Sequence, residues 1–291
     1  VVFLGSLVVS AIVSPLLFQL VVWAKGAVPE AVPGFLARRA DPGDFPRYFD
    51  RLRWLPVLLA IPWLMRDQGL LSWRALGFDG DFRKALIAFA AGVAMFAPVI
   101  GVQHWASDGG LAWVPGASGG QFLSALMGGV AAGVAIGLLE ETVFRGLILR
   151  LWLRAIPRTA AIGLSAAFFA IVHFKKVPWP DEQAVTLLSG IEVAWRTLFA
   201  AVYTFEPAKF VNLLLAGLLL NLLFLRTGTL WACIGLHAGW VALRAVYRET
   251  VTAAPTGAPE WLLGTETLID GLLPAAMMLP AIVWLWWPRK P

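Results

Sequence analysis

The stretch "GLLEETVFRGLILRLWLR", residues 137–154, decides how this chain is read. It closes a longer segment, residues 121–153, whose charges are Glu140, Glu141, Arg145 and Arg150. A bilayer crossing takes about 20 apolar residues, so the segment is long enough to span one. Ionisable groups at bilayer depth are costly, and chains seldom carry them without a use. The stretch therefore reads as a membrane helix with a polar patch built into it.

The rest of the chain agrees. Of its 291 residues, 59% are hydrophobic and 14% charged, and there are 15 tryptophans and 18 phenylalanines. Soluble domains carry about 25% charged residues, whereas aromatic side chains gather at membrane interfaces. The expected fold is all-α, a polytopic transmembrane helix bundle. It should hold about 7–9 membrane helices, one or two of them short or interfacial. Clear spans are residues 1–24, 85–106, 121–153, 159–174, 210–225, 229–247 and 271–288. The opening run is too long for a signal-peptide core and reads as a retained span. Residues 54–65 are short, and 185–205 contain Glu192 and Arg196. Neither is expected to cross, although 54–65 has a re-entrant alternative. No repeat or composition break divides the chain, so 1–291 is expected to form one integral membrane domain.

The net charge of +5 raises the question of nucleic acid. The basic residues flank apolar segments, and the positive-inside rule accounts for them without that partner. Arg38, Arg39, Arg47, Arg51, Arg53, Arg66 and Arg74 precede the second clear span, and Arg150, Arg154 and Arg158 surround Pro157. Arg226, Arg289 and Lys290 complete one side, while 107–120 and 249–270 carry no basic residue beyond the helix ends. The C-terminus is then cytoplasmic, and a prokaryotic inner membrane is the expected location. Lys175 and Lys176 run against this orientation. Cys233 is the single cysteine, which excludes an intramolecular disulfide and a cysteine-rich metal site.

Depth gives the main functional signal. Glu140 lies about 13 residues before the Pro157 side of its helix, and His173 about 14 residues into the next, each roughly 20 Å deep. His237 lies about 10 residues beyond the Arg226 turn, roughly 15 Å deep on the same scale. A carboxylate with two imidazoles can activate water, and can also hold a metal ion. Zinc on Glu140, His173 and His237 is the metal candidate, without an HExxH signature. Glu141 and Arg145 are four apart and can pair, while Glu140 points about 100° away. This assigns Glu141 and Arg145 to support and Glu140 to chemistry, beside the simpler reading of a structural ion pair and a satisfied carboxylate. Small residues along "GGVAAGVAIG", 128–137, would let helices close around such a chamber. His104, beside Trp105 at a helix end, reads as interfacial.

Three segments resemble one family, the CAAX prenyl protease and bacteriocin-processing (CPBP) intramembrane endopeptidases. "EETVFR" (140–145) resembles its EExxxR motif, "FAIVH" (169–173) its FxxxH motif, and "IGLHAGW" (234–240) its last motif, with His237 as the histidine. The resemblance makes 120–247 the catalytic-like core. It implies peptide hydrolysis without a covalent intermediate, with Glu140 and His173 activating water and His237 holding the water or the oxyanion. Phe169 enters as a supporting residue through the motif. The family usually has Asn or Asp four residues after the last histidine; here that position is Val241, with Asn221 as a candidate substitute. Residues 177–209 are longer than the family leads one to expect.

The leading function is an intramembrane endopeptidase acting on a membrane-associated peptide or a prenylated, CAAX-type protein, with membrane lipid as the other partner. A non-catalytic membrane scaffold or partner-binding member of the same family is the alternative. A proton-coupled transporter is a third, disfavoured by the lack of an internal repeat.

Overall fold

The structure is a computed structural model that describes every residue except 1, 32, 34–39, 81, 107–111, 115–117, 175, 176, 178, 181, 253–258 and 288–291. In chain order its helices are α1 (Val2–Ala27), α2 (Phe45–Asp67), α3 (Trp73–Leu76), α4 (Arg83–Ala106) and α5 (Gly119–Glu141). A π-helical segment, Thr142–Leu149, joins α5 without a break to α6 (Arg150–Ala155). There follow α7 (Arg158–Val172), α8 (Ser189–Leu198), α9 (Ala200–Tyr203), α10 (Pro207–Thr227), α11 (Leu230–Thr250), α12 (Glu260–Leu263) and α13 (Leu272–Trp286). One two-residue antiparallel ladder pairs Ala112 with Thr252 and Trp113 with Val251.

This is the all-α membrane bundle expected. Five described helices are long and apolar enough to span a bilayer: Gly5–Ala27, Arg83–Ala106, Gly119–Ala155, Pro207–Thr227 and Leu230–Thr250. The chain is an integral membrane protein. The expected spans at 159–174 and 271–288 form helices of 15 residues each. At 1.5 Å per residue each is about 22 Å long, shorter than the roughly 30 Å hydrocarbon core. Residues 54–65 lie inside α2, where Pro56, Pro62 and several charges keep the helix below span-like hydropathy. Residues 185–205 give only the short α8 and α9. Of the charges used for orientation, Arg38, Arg39, Lys175, Lys176, Arg289 and Lys290 lie outside the described residues.

Contacts gather the chain into two compact units, Val1–Gln68 with Phe174–Phe205, and Gly69–His173 with Glu206–Pro291. In the first, α1 packs on α2 and α8. Phe18 meets Phe45 and Tyr48 edge-on at 5.7 and 5.4 Å, and Phe45 meets Trp179 at 5.4 Å. Gly190 brings α8 onto α1 so closely that a Cβ there would lie 1.9 Å from the Ala11 carbonyl oxygen. Of the long insertion between the last two motifs, residues 177–205 belong to this unit.

The second unit is built around α11. Membrane helices gain little from burial against lipid of equal polarity, so close backbone approach at small residues supplies much of the contact. On the side facing α4, a Cβ at Gly235 would lie 2.1 Å from the Ala85 carbonyl oxygen, and one at Gly239 2.3 Å from that of Phe89. On the other side a Cβ at Gly133 would stand 2.8 Å from the Ala238 carbonyl oxygen. Helix ends are set locally. Ser118 and Thr229 cap α5 and α11 by accepting from Gln121 and Trp231 amides at 3.2 Å each. Gly228, with φ +68°, ends α10 in the left-handed conformation that glycine adopts without a Cβ penalty. At another edge, Gln103 Nε2 donates to the carbonyls of Leu263, Gly264 and Thr265 and its Oε1 accepts from Tyr247 at 2.8 Å, tying α4, α11 and α12 together.

Candidate active site

The buried residues of α5 are Gly129, Gly133, Gly137 and Glu141, one every four positions. The stripe faces α11, and Glu141 is its last member. Three glycines let the backbones close, and the fourth position presents a carboxylate to the same neighbour. His237 answers it, with Nδ1 2.8 Å from Glu141 Oε1. Glu140, one residue earlier, is turned off this stripe by the helical twist.

Beyond Glu141 the helix widens into its π segment, a geometry often found at functional sites. Arg145 lies in that segment and is fully buried. Its Nη1 stands 3.0 Å from Glu141 Oε2, its Nη2 donates to the Gly217 carbonyl at 3.2 Å, and its Nε donates to Asn221 Oδ1 at 3.1 Å. Asn221 Nδ2 donates in turn to the Ile162 carbonyl at 3.0 Å. The guanidinium also lies over the Phe169 ring, 4.7 Å from its centroid. A buried charge left unpaired would be strongly destabilising, and here each nitrogen of the guanidinium has an acceptor. The network joins the π segment to α7, α10 and α11. Asn221 is spent on this bracing at both ends of its amide.

Glu140 and His173 form a second pair. His173 sits just past the end of α7 as its C-cap, where its Nδ1 is 2.7 Å from the Phe169 carbonyl. A carbonyl can only accept, so Nδ1 carries a proton and Nε2 is turned free for other work. That Nε2 lies 3.6 Å from Glu140 Oε2, beyond direct hydrogen-bond length. Exposure separates the two glutamates: the Glu141 side chain is 0% accessible, whereas Glu140 and His173 keep 23% and 25%.

The sequence expectations map onto this geometry unevenly. Glu141 with Arg145, Glu140 with His173, and Phe169 beneath both are brought together. His237 is paired with Glu141, where depth alone set it beside Glu140. Among the described residues no three His, Cys, Asp or Glu side chains stand together as a metal site. Glu140, His173 and His237 do not fit zinc in this arrangement, since the imidazoles address different carboxylates. The backbone acceptors Gly217 and Ile162 and the π segment were missed. The four-residue spacing from Gly129 to Glu141 is the signal that would have turned Glu141 towards α11.

Comparison with known families meets this site. Residues 121–243 match the family described as type II CAAX prenyl endopeptidase, Rce1-like, and the match contains Glu140, Glu141, Arg145, His173, Asn221 and His237. Over those residues the chain is similar to the Rce1-like CAAX endopeptidases. The match supports the family resemblance that the three motifs carry. No match was found among curated proteins or among solved structures.

Proposed function

We propose that the protein hydrolyses a peptide bond of a membrane-associated or prenylated, CAAX-type substrate, using a water held between Glu140 and His173. The observation that carries this reading is the partly exposed Glu140–His173 pair, separated by 3.6 Å and set against a fully buried ionic hub. The water attacks the scissile carbonyl as Glu140 takes one of its protons. The C–N bond then breaks, and that proton passes to the leaving amine, giving an amine and a carboxylic acid that ionises by losing the water's second proton to solvent. His173, fixed by the Phe169 carbonyl, orients the water. His237, held on Glu141 through Nδ1, can donate Nε2–H to the oxyanion as the imidazolium.

Val241 supplies no hydrogen bond where the family usually carries an amide. The preceding Trp240 has an indole N–H that is buried and meets no acceptor among the described residues, and its ring lies 6.3 Å from His237. We assign the missing donor to Trp240 Nε1. Its hydrocarbon neighbour Val241 is also what favours the second reading, a non-catalytic family member acting as a membrane scaffold. The membrane is assigned as a prokaryotic inner membrane with the C-terminus cytoplasmic, on the basic residues around Pro157 and at Arg226.

The test is cleavage of paired prenylated and unprenylated peptides by detergent-purified protein, beside Glu140→Gln and His173→Ala. Turnover by the parent protein and a fall of about 10²–10⁴ in the Glu140 variant are expected. Turnover retained by both variants would move the chemistry elsewhere. A folded but inert parent protein across the panel would favour the scaffold.

A further inference from the structure

At the end of α7 remote from His173, a cavity of about 340 Å³ opens between α7, α10 and α13. Two arginines line it, Arg158 and Arg226, and no acidic residue does so among the described residues. Arg226 is positioned rather than loose. Its Nη1 donates to the Trp287 carbonyl at 3.0 Å, and the guanidinium lies over the Trp284 ring at 5.7 Å. Its Nε is buried and meets no acceptor among the described residues.

The backbone adds further donors. Helix α7 starts here after Pro157 with no side-chain cap, so the amides of Arg158, Thr159 and Ala160 have no acceptor within the helix. The aligned peptide dipoles of a 15-residue helix favour an anion at that point. Apart from Thr159 the rest of the lining is apolar or aromatic, with Ile162, Leu222 and Leu285 among its walls. Positive charge, open amides and a hydrocarbon wall thus meet in one place on a membrane protein.

We propose that this cavity binds the phosphate headgroup of an anionic membrane phospholipid. Arg158, Arg226 and the first amides of α7 receive the phosphate, and an acyl chain lies along Leu222 and Leu285. Phosphate recognition alone would serve a free ion equally well; the apolar wall is what assigns the ligand to lipid. The proposal is independent of peptide hydrolysis, and its test does not use turnover.

The experiment is native mass spectrometry of the detergent-purified protein titrated with dioleoyl phosphatidylglycerol, dioleoyl phosphatidylcholine or sodium phosphate. Each arginine near an anionic headgroup contributes on the order of 1 kcal/mol, so phosphatidylglycerol should bind about thirtyfold tighter than phosphatidylcholine. Arg158 is exposed at a helix start, so Arg158→Gln should fold normally and reduce that preference about fivefold. Arg158→Gln/Arg226→Gln should abolish it, with the melting temperature of the lipid-free protein as the folding control. Equal binding of the two lipids, or a preference untouched by Arg158→Gln, would overturn the proposal. Inorganic phosphate binding as tightly as phosphatidylglycerol would overturn the lipid as its source.

Discussion

Glu141 is fully buried and holds both Arg145 and His237, whereas Glu140, one residue earlier, stays partly exposed and faces His173 across 3.6 Å. The two carboxylates have the same chemistry and the same depth in the membrane. Their difference comes from a rotation of about 100° between successive helix positions, which sends one towards α11 and leaves the other at the accessible face. The lesson concerns what a buried ion pair is for. A fully satisfied network fixes the positions of three neighbouring helices, and it thereby holds its partly exposed neighbour in place.

The sharpest way to break this comparison is to neutralise each glutamate in turn and measure stability. Glu141→Gln leaves Arg145 buried without its counter-charge and should cost about 3–5 kcal/mol in denaturant unfolding in detergent. Glu140→Gln should stay within about 1 kcal/mol of the parent, because a partly exposed amide can still hydrogen-bond to water. Equal losses in the two variants would erase the distinction. Asn221→Ala tests how far the bracing extends. It removes the acceptor of Arg145 Nε and the donor to Ile162, and a loss of about 1–3 kcal/mol is expected. The smallest expected effect is at Trp240. An oxyanion donor lost outright costs about 10²–10³ in rate, and with His237 still present Trp240→Phe should lower turnover by about tenfold. An unchanged rate would remove Trp240 from the chemistry and leave His237 as sole donor.

Much of this was open to reading in the sequence for physical reasons. Spans announce themselves by apolar length, because an unsatisfied backbone in lipid leaves helices as the simple solution. Charged residues inside such a span, as at Glu140, Glu141 and Arg145, are rare enough to mark a site. The short helices were harder. Apolar residues continue past His173 into Phe174, so composition does not register that α7 stops at Val172. The partner of His237 was harder still. Depth counts residues along an axis and carries no rotation; rotation is set where Gly133 and Gly137 seat α5 against Ala238 and Ile234. The acceptors at Gly217 and Ile162 are main-chain carbonyls, which every residue possesses and no side-chain pattern reveals.

The glycine contacts on α11 carry a consequence for the membrane itself. The proposed hydrolysis would keep water within a bilayer and so risk a leak, since a continuous file of water conducts protons and dissipates the gradient the membrane maintains. Where Gly235 and Gly239 meet the carbonyls of Ala85 and Phe89, the backbones are too close to admit even a methyl group. That seam runs beside His237 and is narrower than a water molecule. The bundle can therefore be wet at Glu140 and remain an insulator along α11.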